Sequence, residues 1–353
     1  ALTTGSYNVA LGAYALSSED TGSGNVAIGR EALENQNYDG TAYNIAIGYQ
    51  TGKYITTGTN NTIVGGLAGD ALTTGIQNVA IGRDALTSED TGNKSVAVGS
   101  FALQTQNYDG DAYNVAVGHD AGKSVTTGVQ NTLVGAQAGD SLTTGTNNVA
   151  IGFEALATED EHSFNVAVGH RALKTQNAGA SAYNTAVGYN TGLNVTTGTY
   201  NTILGALAGD ALTTGSYNVA LGWGALSTED GHGKNVAIGY NSLVMQDAGA
   251  DAYNVAVGYE SGRHLTTGVE NTILGGLAGT ALTTGNYNIA IGHKALFTED
   301  AHGRNTAIGW KALSVQNAGA DAYNVAVGFQ AGSQITTGTE NTIMGGLAGD
   351  ALT

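Results

Sequence analysis

The chain has 353 residues, with 55 glycines, no proline and no cysteine, and its 12 basic and 29 acidic residues leave a net charge of −17. This composition argues against an enzyme domain, provides no disulfide or thiolate metal site, and disfavours nucleic acid or anionic membrane as a partner. At 41% hydrophobic residues the chain is too apolar to be disordered, yet no apolar run approaches the roughly 20 residues that span a bilayer.

Read in chain order, the sequence repeats itself. Leu-Thr-Thr-Gly begins at Leu2, Leu72, Leu142, Leu212 and Leu282, which sets a register of 70 residues without insertion. The repeats are 1–70, 71–140, 141–210, 211–280 and 281–350, and 351–353 open a further one. The pattern predicts one continuous array over 1–353, cut as a window from a longer chain.

Within each repeat four phrases begin with Asn and continue hydrophobic, small or hydrophobic, hydrophobic, Gly. In the first repeat they are Asn8-Val9-Ala10-Leu11-Gly12, Asn25-Val26-Ala27-Ile28-Gly29, Asn44-Ile45-Ala46-Ile47-Gly48 and Asn61-Thr62-Ile63-Val64-Gly65. Successive phrases start 17, 19, 17 and 17 residues apart, and Ser95 is the one exception to the leading Asn. Each phrase reads as a short strand closed by Gly and followed by a turn-rich loop, and nothing has the length or period of a helix. The predicted fold is therefore all-β: a parallel β-solenoid, or β-roll, of about twenty coils. Asn8, Asn25, Asn44 and Asn61 are expected to start an asparagine ladder, each side-chain amide bonding to its neighbours in adjacent coils. At ~4.8 Å per coil, such a stack would be on the order of 95 Å long.

The strand faces raise a question of burial. Positions two and four of each phrase are Val, Ile, Leu, Met or Thr, and position three is Ala in three phrases of every four. In the fourth phrase it is Ile63, Leu133, Ile203, Ile273 or Ile343. Both faces are apolar, whereas one coil encloses only one of them. We expect the position-three face to be an inter-chain seam, formed by Ala10, Ala27, Ala46, Ile63, Ala80, Ala97, Ala116, Leu133, Ile203, Ile273 and Ile343. On this expectation three chains would meet on a common axis. A flat monomeric solenoid, burying Ala and Val layers together, is the alternative.

These phrases, such as Asn25-Val26-Ala27-Ile28-Gly29 followed by Ala32-Leu33, or Asn305-Thr306-Ala307-Ile308-Gly309 followed by Ala312-Leu313, resemble the head repeats of trimeric autotransporter adhesins. Similar repeats occur in bacteriophage tail fibres. The resemblance covers essentially the whole chain. It implies a left-handed parallel β-roll, a homotrimer, an extracellular place on a cell surface or virion, and contact with a host-surface glycan or receptor. The coils are longer than is usual in that family, and these residues include no neck, stalk or membrane anchor.

Three features suggest chemistry. Glu-Asp recurs in the loop after the first phrase, and in the last three repeats a histidine follows, which makes Asp160 with His162, Asp230 with His232 and Asp300 with His302 candidate metal ligands. Calcium at the acidic turns would be the ion if only carboxylates served, although a cofactor-free protein is the primary expectation. Trp223, Tyr240, Tyr259, Trp310 and Phe329 follow the fixed Gly and are candidate glycan contacts, or else fillers between chains. The Thr-Thr-Gly turns suggest an ice-binding array as an alternative, interrupted after every second coil by acidic loops. Gly65-Gly66-Leu67-Ala68-Gly69 is no phosphate loop, because neither Lys nor a helix follows it. The expected function is an extracellular structural or adhesive fibre, without catalysis; a self-assembling filament or matrix protein, growing end to end or laterally, is a further alternative.

Overall fold

A computed structural model describes residues 3–353, so Leu2 of the first motif lies outside it. The described residues contain twenty strands of three residues each, from β1 (Val9–Leu11) to β20 (Thr342–Met344), numbered along the chain. The chain forms two compact segments that divide between Ser181 and Ala182. The first carries β1 to β10 (Val166–Val168), the second β11 (Thr185–Val187) to β20. In each segment successive strands pair in parallel and in register, so that Ala27 lies beside Ala46 and Ala46 beside Ile63. This is the parallel β-solenoid that the 17-residue period predicts. No helix among the described residues is long and apolar enough to cross a membrane.

Each strand stops after three residues because the fixed glycine turns the corner in a conformation L-residues avoid. At Gly205 φ is +130°, and an added Cβ would lie 2.6 Å from the carbonyl oxygen of Gly222 in the next coil. Glycine is therefore required both by its dihedral and by the close approach of stacked backbones.

The core reverses the faces expected from the sequence. Ala27, Ala46, Ile63, Ala80, Ala97, Ala116, Leu133, Ile203 and Ile273 are fully buried inside their own chain, Ile343 is nearly so, and Ala10 in the first coil is exposed. These residues are not an inter-chain seam. They line a coil interior too narrow for two large side chains at the same level, which is why Ala suits it. In the first two coils of a repeat, Ala pairs with a leucine held in the left-handed region, such as Leu33 at φ 48°. In the third and fourth coils that position becomes glycine, Gly52 and Gly69, and the side chain of Ile63 occupies the freed space. A Cβ on Gly52 would lie 3.3 Å from Ile63 Cδ1, and one on Gly69 3.2 Å from it. The periodic Ile or Leu thus fills its own coil and not a trimer axis.

The other face, positions two and four, points outward. Ile45, Ile47, Ile81, Val117 and Ile151 are more than a third exposed, and most equivalents are half-buried. Two parallel, largely apolar rows therefore run along the outside of each segment, the position-two row being interrupted by threonines such as Thr62 and Thr132.

Candidate metal centre

The asparagine column occupies the corner before each strand, and its bonds run from side chain to backbone. The N–H groups of Asn25, Asn44 and Asn61 donate to Oδ1 of Asn8, Asn25 and Asn44 in the preceding coil at 2.9, 3.1 and 3.0 Å. The Nδ2 groups of Asn8, Asn44 and Asn61 donate to the carbonyls of Gly22, Gly58 and Gly75 at 2.7, 2.7 and 2.8 Å. The ladder exists, but the amides pair mainly with main chain and not with one another. Asn25, in the longer coil, has no acceptor for its buried Nδ2. Ser95 stands at that same place in the second repeat, and its hydroxyl accepts from Gln106 Nε2 at 2.7 Å. A serine there leaves no second amide hydrogen to satisfy.

The aromatic candidates form short stacks along the coil axis. Trp223 lies on Tyr240 and Tyr240 on Tyr259, with centroids 5.2 and 5.4 Å apart, and Trp310 lies on Phe329 at 4.9 Å. All five are partly exposed, but the stacked faces cover one another and leave chiefly the ring edges outward. In the Thr-Thr-Gly turns the first hydroxyl is used between coils: Thr73 Oγ1 donates to the Asp90 carbonyl at 3.0 Å and Thr213 Oγ1 to that of Asp230 at 2.8 Å. The second threonine is exposed, as at Thr74 and Thr144, but in the last two repeats it too is engaged between coils, Thr214 and Thr284 donating to the carbonyls of Gly231 and Ala301 at 3.1 and 3.2 Å.

The acidic loops contain the most unusual chemistry, and they come in two forms. In the first two repeats the sequence is Glu-Asp-Thr-Gly. Glu19 is buried; its Oε1 accepts from the N–H groups of Gly22 and Asp20 at 2.6 and 3.1 Å, and its Oε2 from that of Tyr38 at 3.3 Å. Glu89 repeats this with Gly92 and Tyr108 and gains Gln106 Nε2 at 2.9 Å. Every carboxylate oxygen is paired.

In the last three repeats histidine replaces the glycine. A Cβ at Gly22 would strike the Glu19 carboxylate, 2.5 Å from Cδ and 2.6 Å from Oε1, so the same glutamate must sit differently beside a histidine. Glu159, Glu229 and Glu299 remain fully buried. Each accepts at Oε1 from the N–H of His162, His232 or His302 at 3.1, 3.1 and 3.2 Å, and Glu159 Oε1 has a second bond, to His162 Nδ1. Each has an Oε2 with no partner at hydrogen-bonding geometry, although the N–H groups of Ala248 and Ala318 lie near enough to Glu229 and Glu299 to lower their carboxyls somewhat.

The structure thus brings the sequence candidates Asp160 and His162, Asp230 and His232, and Asp300 and His302 together, and adds a buried glutamate to each pair. In the fourth repeat Asp247 joins from the next coil, and the four potential ligand atoms lie within 4.8 Å of one another. His162 Nδ1 contacts Glu159 Oε1 at 2.8 Å, whereas at His232 and His302 the separation opens to 3.5 and 3.6 Å and the buried Nδ1 has no hydrogen-bond partner. Burial pushes the Glu229 carboxyl up to about 7; Asp247 and Asp230 add to the rise, and the N–H groups of His232 and Ala248 offset part of it.

Sequence reasoning missed the buried glutamates because Glu-Asp in a loop reads as a solvated acidic turn. It missed Asp247 because four of the five repeats carry Asn there: Asn37, Asn107, Asn177 and Asn317. The signal was present as that single departure, in the repeat whose loop also contains histidine. No family model and no curated protein matches the chain.

Proposed function

We propose that this chain is a structural and adhesive protein, the shaft or head of an extracellular fibre such as a cell-surface adhesin or a phage tail fibre. The observation that carries the reading is the coil-to-coil ladder, in which one side-chain column ties backbone to backbone through each segment. Asn78 to Asn61 and Asn288 to Asn271, one link from each segment, both measure 2.9 Å. A load along the stack is shared by many buried bonds that break together, the arrangement that suits a strut. The acidic exterior favours solubility, and the resemblance to adhesin head repeats supports an extracellular setting.

The partner we assign is a second and third copy of the chain. The outward Val, Ile and Leu rows, and not the buried alanines, provide the contact surface. Rows of exposed apolar side chains of this kind favour association with another apolar surface. Host-glycan or receptor contact would use the aromatic edges and the open stack ends, where Ala206 and Gly276 flank Trp223 and Tyr259. Ice binding is a weaker reading, since the first threonine of the turns is engaged between coils.

Sedimentation equilibrium of the purified chain tests the assembly. We expect the mass of three chains, reduced to one by Ile151→Glu together with Ile81→Glu. A well-behaved wild-type monomer would overturn the trimer, and a monomer of compact hydrodynamic shape would overturn the fibre as well.

A further inference from the structure

We propose that the acidic loop of the fourth repeat, Glu229, Asp230 and His232 with Asp247 from the next coil, is a binding site for a divalent transition-metal ion, with zinc the ion that best fits its ligands. Three observations support this independently of the fibre reading. The four ligand atoms converge within 4.8 Å, a spread that modest side-chain rotation contracts to a coordination shell. Glu229 is fully buried yet has an Oε2 with no partner, and His232 Nδ1 is a second buried atom without one. A carboxylate oxygen and an imidazole nitrogen left bare at one point are costly unless something bonds to both.

The chain supplies its own control. Glu19 and Glu89 occupy the same fold position with both oxygens satisfied, so an unpaired oxygen is not a general consequence of burying glutamate in this loop. Histidine accompanies the loss of those partners. In the fourth repeat the Gln246 Nε2 that corresponds to Gln106 is also without a partner, so the Gln106–Glu89 pairing is not reproduced there.

The donor set selects the ion class. Calcium and magnesium take oxygen ligands, whereas one imidazole nitrogen with three carboxylates suits a small borderline cation at four-coordination. Calcium at these turns, expected if carboxylates alone served, is disfavoured by the histidine. Glu229, Asp230 and His232 follow β13 (Val219–Leu221), while Asp247 follows β14 (Val236–Ile238). A bound ion therefore fastens one coil's loop to the next. The third and fifth repeats present three ligands each, without the Asp.

The test uses the full chain freed of metal by chelator. Zinc is titrated in competition with a chromophoric chelator, and cobalt is used as a spectroscopic stand-in whose intense visible bands report tetrahedral coordination. We expect one site markedly tighter than the rest, and cobalt bands that Asp247→Asn and His232→Asn each weaken along with a loss of affinity of about tenfold or more. Asp247→Asn restores the residue found in the other four repeats, so loss of folding is not an obstacle to reading it. Asn317→Asp, which completes the fifth repeat in the same way, should create a second tight site. Absence of cobalt bands with zinc affinity no better than that of the Asp247→Asn chain would overturn the proposal, as would tight binding indifferent to both substitutions.

Discussion

The acidic loops of the first two repeats and those of the last three begin with the same Glu-Asp and, Ser95 apart, end in the same asparagine, yet they treat the buried glutamate differently. In the early form Thr-Gly admits the carboxylate, and the loop of the next coil helps to hold it. Thr21 and Thr91 donate to Asp39 and Asp109 at 2.7 and 2.6 Å, and isolated bridges join Ser23 to Thr41 and Asn93 to Asp111. In the late form both loops change together. Histidine replaces glycine and Ala-Gly-Ala replaces Tyr-Asp-Gly, and in the fourth and fifth repeats the loops are joined instead by the N–H groups of Gly233 and Gly303, which donate to Asp251 and Asp321 at 3.1 and 3.0 Å. Two loops on adjacent coils therefore vary as one module, while the strands between them stay the same. The fold sets where the loops meet, and the loops decide whether the buried glutamate at that junction has both oxygens hydrogen-bonded or one left open.

The sharpest way to break this comparison is to make one substitution in both forms. Glu89→Gln places an amide NH2 against donors that now point at carboxylate oxygens, and should cost about 2–3 kcal/mol locally. Glu229→Gln in the chelated chain removes a buried carboxyl whose charge is disfavoured at neutral pH, keeps an acceptor for His232 N–H, and should stabilise by about 1–2 kcal/mol. Hydrogen exchange at Gly92 and His232 reads the two loops separately, which matters in a repeat protein that need not unfold in one step. Shifts of the same sign at both sites would erase the distinction between the forms.

A second comparison separates the longer coil from its neighbours. Asn271 donates to the Gly285 carbonyl at 2.9 Å and accepts from Asn288 N–H at 2.9 Å. Asn271→Ser should therefore cost about 2 kcal/mol. Asn235 lies in the longer coil and has a buried Nδ2 without a partner, the one ladder contact of its side chain being acceptance from Asn254 N–H at 3.2 Å. Asn235→Ser should change stability by less than about 1 kcal/mol, because the lost bond is offset by the removed orphan. Urea melts followed by exchange at Asn254 and Asn288 would show whether the natural serine at position 95 marks a tolerant site or an isolated accident.

Much of this architecture was legible in the sequence. The coil period, the strand positions and the asparagine column follow from a pattern repeated twenty times without slippage. The direction of the strand faces did not follow, since both are apolar and the usual guide, larger side chains inward, fails in a narrow coil. The decisive clue was the exchange of Leu33 for Gly52 and Gly69 alongside the exchange of Ala27 for Ile63, a volume swap that makes sense only if both positions share one interior. Of the candidate site, the Asp and His positions were readable from spacing. The role of the glutamate depends on a backbone that buries it, which no local pattern announces.

The smallest effect concerns a third variable position. Asp70, Asp140 and Asp210 each have a buried Oδ1 without a partner, and burial raises each carboxyl above its ordinary value. The fourth repeat carries Thr280 instead, whose Oγ1 donates to the Leu277 carbonyl at 2.8 Å. A carboxyl held above its unfolded value is tolerated while protonated, and its contribution is lost as pH rises through the carboxylate range toward the folded value. Asp210→Thr should therefore leave stability nearly unchanged near pH 4 and improve it by less than about 1 kcal/mol at pH 7, because the group is only half-buried. Melting curves of both chains at the two pH values provide the measurement, and a benefit that shrinks as pH rises would mean that Asp210 is stabilised as its anion.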